Sequence, residues 1–405
     1  MSSGKKIAVV VPAITNTGGV ASVAEFVIRT IRERTDHDYA VFSIAMAARD
    51  RTSLLLTDPR SWLRGATVAE GDFRGTPFRH VGAIAPEIET QRYQPRRVLA
   101  RELAGFDMVQ LVTGVPAWAN PVLGLGIPVS LQVATLIDVE RREKVKRWRG
   151  PVGVWRRHMT RGIRRLDDQA LQRVDAVQVE NNWMLKYCES VPREHPMDLR
   201  FAAPGVDAEL FHPAQTRSPL PGYVMSVGRM SDPRKREMLL LDAYRLLCAQ
   251  MEDAPRLLLA GPDGPTPEFE AKARELDLWD RIDVHVFPEK AELARLYREA
   301  SAFVLASDEE GFGVTVIEVM ASGVPPVSTR SGGPDDIIDD GEDGFLVDRG
   351  DAKGLADRLH RLSADQALNH RMGELARAKV MLRYSEDVAA QAFVAVFERL
   401  LDLSE

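Results

Sequence analysis

Ile7-Ala-Val-Val-Val11 runs into Pro12-Ala-Ile-Thr-Asn-Thr-Gly18-Gly19-Val20, and from Val20 to Arg34 apolar residues recur at helical spacing. An uninterrupted apolar run, a glycine-rich turn and a helix make up the opening of a parallel α/β unit, because a strand apolar on both sides must be covered on both faces. The same order restarts at Tyr223-Val-Met-Ser-Val227-Gly228-Arg229, followed by a helical pattern from Glu237 to Ala249. Other short apolar runs are Ala40–Ile44, Met108–Val112, Val129–Val133, Ala176–Val179, Arg256–Ala260, Ile282–Phe287, Ala302–Ala306 and Pro326–Ser328, with a further helical pattern over Glu292–Arg298. Ten such strands exceed one comfortable sheet, so two doubly wound domains are expected.

The boundary is expected near Pro204-Gly-Val-Asp207 and the polar stretch Pro213–Pro221. This gives an N-terminal Rossmann-like domain over 1–205, a C-terminal one over 206–383, and a closing helix in 384–405. That helix carries Val388, Ala389, Phe393, Val396, Phe397 and Leu400, and a crossing back to the first domain is allowed. The chain has 405 residues, 45% hydrophobic and 28% charged, which excludes disordered, collagen-like and coiled-coil classes. Its net charge of -6 argues against nucleic acid as a partner. Cys188 and Cys248 have no neighbouring Cys or His at metal spacing, so neither a disulfide scaffold nor a zinc ribbon is expected. Met1–Lys6 leads straight into a strand, without the apolar core of a secretory leader, and a reducing, cytoplasmic location is the expectation. From Met108 to Ile137 no residue is charged, but Pro116, Pro121 and Pro128 break any continuous span.

Three segments carry chemistry. The Gly18-Gly19 turn exposes backbone N–H groups where phosphate binds well, though as a local feature it is equally a tight turn without ligand. It lacks both the dinucleotide Gly-x-Gly-x-x-Gly and the P-loop Gly-Lys-Ser/Thr. Gly228-Arg229-Met-Ser-Asp-Pro-Arg234-Lys235-Arg236 places cations after a strand, which suits a pyrophosphate and equally describes a solvated charged loop. Ser307-Asp-Glu-Glu310-Gly-Phe-Gly-Val-Thr315-Val-Ile-Glu318 puts one carboxylate in a turn and another about a helical turn further on, so both can reach one extended ligand. A capping acid beside an ordinary helical Glu has the same composition.

The Glu310-x7-Glu318 spacing, its internal Gly-Phe-Gly and the following Met320-Ala-Ser-Gly-Val-Pro-Pro326 resemble family-4 retaining glycosyltransferases of the GT-B fold. Matches in family order include Gly18-Gly19, Pro204–Pro213, Gly228-Arg229 with Lys235, Ala260-Gly-Pro-Asp-Gly264, Gly332-Gly-Pro-Asp-Asp336 and Asp343–Asp348. The resemblance implies two Rossmann-like domains facing across a cleft. It also implies a nucleotide diphosphate sugar (UDP- or GDP-linked) as donor substrate, a small-molecule or lipid-linked acceptor, and no further cofactor or metal. It assigns Arg229 and Lys235 to the diphosphate, approached by Gly18 and Gly19, and Glu318 to the ribose. Glu310 goes to sugar hydroxyls with the backbone of Phe312 and Gly313, the amides of Val314 and Thr315 to the phosphates, and Val286–Lys290, including Phe287, to the base. Acceptor attack is then on the face the diphosphate leaves, with a phosphate oxygen taking the proton.

Two departures stand out. The family's first-domain His has no counterpart near Gln132–Asp138, where Gln132 or Thr135 would have to substitute, and Lys235 comes one residue late, so that Arg234 would share its role. A nucleotide-sugar 2-epimerase of the same fold and a catalytically silent nucleotide-sugar-binding protein are the competing classes. Asp36-His37-Asp38 matches a metal signature of a different fold but precedes its strand. Arg141–Arg165 holds eleven Lys or Arg with Trp148 and Trp155. It is read as a solvated helical pair in preference to a peripheral contact with anionic membrane.

Overall fold

A computed structural model describes residues 4–14, 18–142, 145, 148–193, 195–215, 220 and 222–402. Two compact units are present: Met1–Pro204 together with Ala389–Glu405, and Gly205–Val388.

The first unit holds an eight-stranded sheet of β1 (Lys6–Pro12), β2 (Asp38–Ile44), β3 (Val68–Phe73), β4 (Thr76–Val81), β5 (Met108–Thr113), β6 (Val129–Val133), β7 (Ala176–Val179) and β8 (Asp198–Phe201), in the order β3-β4-β2-β1-β5-β6-β7-β8. Only β3 and β4 pair antiparallel. The uncharged stretch becomes β5, a short turn of 3-10 helix at Pro116–Ala119, and β6. One face of the sheet buries Val109, Leu111, Leu131, Val133 and Val177, and the other Ile7, Val9, Val11 and Met108. On that second face lie the helix Gly19–Arg34 and the end of the helix Glu386–Asp402, whose Phe393 meets Phe26 edge to face at 5.3 Å between ring centres. Phe393 and Phe397 are fully buried, each contributing about 2 kcal/mol or more of apolar transfer.

A polar row crosses the same sheet. The Ser130 hydroxyl donates to Gln178 at 3.0 Å, and the Gln132 amide donates to the buried Glu180. Burial pushes the Glu180 carboxyl up to about 7, against the lowering effect of that hydrogen bond.

The second unit holds a wholly parallel sheet of β9 (Tyr223–Val227), β10 (Arg256–Gly261), β11 (Ile282–Val286), β12 (Ala302–Leu305), β13 (Pro326–Thr329) and β14 (Phe345–Val347), ordered β11-β10-β9-β12-β13-β14. The chain lays down β9, β10 and β11 in one direction, then returns to the far side of β9 for β12. Adjacent strands β9 and β12 therefore send their following loops to opposite faces, which opens a crevice at their carboxyl ends.

Among the described residues fourteen strands form where ten continuous runs are expected. The additional β3–β4 hairpin carries Glu70, Asp72 and Arg79 on a sheet edge, and β8 and β14 have four and three residues. None of these needs an unbroken apolar run. Among the described residues, no helix is long and apolar enough to cross a membrane.

Candidate functional site

Both loops that leave the β9/β12 crevice are held by paired charges. After β9, the loop is pinned by Asp263 of the neighbouring β10 loop, whose carboxylate accepts the Met230 amide at 2.8 Å, the Ser231 amide at 3.2 Å and the Ser231 hydroxyl. A Cβ on Gly261 would lie 2.0 Å from the Gly228 carbonyl oxygen, so these loops run backbone to backbone. Asp232 caps the single turn Pro233–Lys235 through the Arg234 amide at 3.1 Å. Arg229 stands exposed at the strand's end, without an ion pair among the described residues.

After β12, the loop Ser307–Gly313 docks onto this turn. The Asp308 amide donates to the Arg234 carbonyl at 2.8 Å. Arg234 spans Asp232 (2.8 Å) and Glu309 (2.7 Å), while Lys235 Nζ donates to Glu310 Oε1 at 2.6 Å. The Ser307 hydroxyl donates to the same Glu310 oxygen at 2.5 Å. Burial alone would lower the Arg234 guanidinium, but its hydrogen bonds to Asp232 and the charge of Glu309 hold it above its ordinary value. Arg234 thus carries its charge to two carboxylates, and Lys235 stands at Glu310.

Glu310 is itself fixed through its backbone. Its amide donates to Ser331 O at 2.8 Å and its carbonyl accepts the Gly333 amide at 3.0 Å. Gly333 lies under the Gly-Phe-Gly turn, where only a missing side chain fits: a Cβ there would sit 1.8 Å from the Phe312 carbonyl oxygen. The Phe312 ring is buried, 5.7 Å from that of Tyr384. Gly313, at φ 111°, then starts the helix Val314–Ala321, so the half-exposed Val314 and Thr315 form its first turn beside Glu310. Glu318 faces inward on this helix and accepts the Tyr297 hydroxyl at 3.3 Å. Burial, and then the charge of Glu318, hold the Tyr297 phenol well above its ordinary value.

The other expected residues belong to other elements. Phe287 follows edge strand β11 at φ 53° and is 67% exposed, its amide held by Gly261 O at 2.7 Å. Gly18 (φ 99°) and Gly19 open the helix Gly19–Arg34 in the first unit, after Ala13 and Ile14 are tied to β2 by Ile44 O and Ser43 Oγ. Thr15–Thr17 fall outside the described residues. Gln132 gives its amide to Glu180, and Thr135 is buried. His37 pairs with Glu398 at 3.2 Å, and no three His, Cys, Asp or Glu gather as metal ligands among the described residues. Sequence reasoning did not single out Asp263, Ser307, Glu309 or Tyr297. Asp263, Glu309 and Tyr297 matter through a partner from another loop or helix, and Ser307 through Glu310 of its own loop.

Residues 209–379 match the family described as Glycosyl transferases group 1. An N-acetyl-alpha-D-glucosaminyl L-malate synthase from Bacillus anthracis is 33% identical over 173 residues, 42% of this chain and 43% of that protein. A D-inositol 3-phosphate glycosyltransferase from Corynebacterium kroppenstedtii is 34% identical over 197 residues, and that match too spans 43% of its length, so both alignments cover less than half of these relatives. An MMP alpha-(1->4)-mannosyltransferase from Mycolicibacterium hassiacum is 28% identical across 78% of this chain and 76% of its own. Among solved structures, sucrose-phosphate synthase from Thermosynechococcus elongatus superposes with a TM-score of 0.71 over 98% of this chain and 100% of its own, at 18% identity. Anabaena Alr3699/HepE in complex with UDP-glucose gives 0.66 over 97% and 99%, at 13% identity. The chain accordingly has the GT-B fold, and its residues 209–379 are a group 1 glycosyltransferase domain.

Proposed function

We propose that the protein is a retaining glycosyltransferase that moves a sugar from a nucleotide diphosphate sugar to a hydroxyl or other nucleophile of a small-molecule or lipid-linked acceptor, without a metal ion. One observation carries this reading: Lys235 and Glu310, 75 residues apart in sequence, meet in the loops that follow β9 and β12, with Arg229 in the first of these loops and the helix Val314–Ala321 starting at the end of the second. Cations and helix amides gathered at a strand-order reversal suit a diphosphate. A carboxylate next to them suits sugar hydroxyls.

Arg229, Lys235 and the amides of Val314 and Thr315 would stabilise charge growing on the departing diphosphate. The bond from the anomeric carbon to the phosphate oxygen breaks as the bond to the acceptor oxygen forms on the same face. The acceptor's proton passes to the leaving phosphate oxygen, so no side-chain base is required. Glu310, with the backbone of Phe312 and Gly313, orients the sugar, Glu318 holds the ribose, and Phe287 flanks the base. Arg234, braced between Asp232 and Glu309, holds the two loops in register. The bound UDP-glucose of Alr3699/HepE supports a nucleotide-sugar donor. Cys188 and Cys248, which form no disulfide, support a reducing, cytoplasmic setting.

The test is incubation of the purified chain with UDP- and GDP-linked donors and candidate acceptors, with the anomeric configuration of the product read from its proton coupling constant. Retention supports the reading. An inverted product, or a new isomer of the donor sugar, refutes it.

A further inference from the structure

The helix Gly150–Arg173 of the first unit has an outer face that nothing in the transferase reading uses. Its inner face buries Gly153, Thr160, Ile163 and Asp167. Its start is anchored, because a Cβ on Gly153 would lie 2.8 Å from the Trp148 backbone and Arg157 donates to the Trp148 carbonyl at 2.9 Å. Yet in this fixed first turn and a half Val152, Val154 and Trp155 are 62%, 59% and 59% exposed. A solvated helical pair does not account for three large apolar side chains within four consecutive positions at an anchored tip. Single exposed apolar residues are ordinary, but a group of them is not.

Cations follow this tip along the same helix. From Trp148 to Leu166 the sequence has six Arg and no Asp or Glu, in a chain whose net charge is -6. Arg156, Arg161 and Arg165 are exposed and form no ion pair among the described residues, whereas Arg164 is neutralised by Asp138 and Asp168. Apolar side chains at a tip, bordered by arginines, have one partner that satisfies both: a bilayer, with hydrocarbon for Val and Trp and anionic headgroups for Arg. A nucleic acid would meet the charge and leave the valines in water.

We propose that this tip is a docking surface for anionic lipid bilayers, with Val152, Val154 and Trp155 entering the headgroup boundary and Arg156, Arg161 and Arg165 meeting lipid phosphates. Co-sedimentation of the full chain with phosphatidylcholine vesicles, with and without phosphatidylglycerol, tests it. The chain is expected to pellet with the anionic vesicles only, and less as salt rises. Neutralising three cations at about 1 kcal/mol each, or about fivefold apiece, should weaken partitioning about 100-fold in Arg156→Gln/Arg161→Gln/Arg165→Gln. Val154→Ser/Trp155→Ser should weaken it about tenfold. Both sets lie at exposed positions, and unchanged melting curves confirm that the variants are folded. Absence of wild-type binding to anionic vesicles overturns the proposal. So does an apolar variant that binds as well as wild type, or a short DNA duplex bound as tightly as the vesicles, which would make the surface a polyanion site. The assay needs no turnover, so its failure leaves the transferase reading untouched.

Discussion

Replacing Gly333 by alanine should dismantle the carboxylate-bearing turn without touching a charged residue. The new Cβ would lie 1.8, 2.2 and 2.5 Å from the carbonyl oxygen, carbonyl carbon and Cα of Phe312, all backbone atoms that no rotamer change can move aside. Relief requires the Gly332–Gly333 backbone and the Phe312 turn to part by more than an ångström. That separation breaks the two bonds joining Glu310 to Ser331 and Gly333. Two backbone hydrogen bonds at about 1 kcal/mol each, with about 1–2 kcal/mol of residual overlap, give about 3 kcal/mol. For a unit of this size that is a fall of about 6–12 °C in its apparent melting temperature. Hydrogen exchange should show lost protection at the Glu310 and Gly333 amides, and calorimetry should show weakened nucleoside diphosphate binding. Gly114→Ala is the control, since nothing lies within 4 Å of its added Cβ. A Gly333→Ala protein that melts within about 2 °C of wild type and keeps its amide protection would refute the reasoning.

Glu310→Gln removes the Lys235 ion pair at the proposed sugar site and should lower kcat about 100-fold, whereas Glu318→Gln should mainly raise the donor KM; steady-state kinetics separates them. Asp263→Ala frees the Met230 and Ser231 amides that hold the Arg229 loop, and should lower kcat/KM for the donor about tenfold in steady-state kinetics. Glu180, raised by burial to about 7, favours the folded state while protonated, so its contribution is complete below about pH 4.5 and disappears as pH rises through about 7. Glu180→Gln keeps an acceptor for Gln132 and should be more stable than wild type at pH 8 by about 1–3 kcal/mol, with little difference at pH 4.5, as read by thermal melts. Asp167, also raised to about 7 by burial, leaves a residual slope in both proteins. Turnover should survive a chelator unchanged; activity that stops and returns only with a divalent ion would contradict the metal-free reading.

The central strands are legible because β1, β5, β6, β9 and β10 are buried on both faces and are written as mostly apolar runs, broken only by buried polar residues such as Gln110, Ser130, Gln132 and Ser226. The β3–β4 hairpin is not, since Val68-Ala-Glu-Gly-Asp-Phe73 has neither a continuous apolar run nor a clean alternation, and it ends in an Arg74-Gly75 turn on a sheet edge. The site is legible to the extent that it follows strand ends: Arg229, Lys235 and Glu310 sit after β9 and β12. What their side chains touch is not. Four consecutive positions, Asp232 to Lys235, contain two cations with different destinations, Arg234 to Glu309 and Lys235 to Glu310. Only the fold chooses between them. Gly333 reads as a turn glycine, while its actual constraint comes from Phe312, 21 positions earlier.

The path of the last helix has a consequence for how the protein is made. The first unit's sheet is complete by Phe201, yet one face still lacks Phe393, Val396 and Phe397, which emerge only after the whole second unit has been synthesised. During that interval the surface around Phe26 and Val27 has no cover. The nascent chain therefore presents an open apolar sheet face until the second unit has been made, and a nonsense mutation near residue 388 would release an otherwise full second unit attached to an unfinished first one. Such a product is a substrate for chaperones and proteases, and it makes the two units one unit of quality control although each has its own sheet.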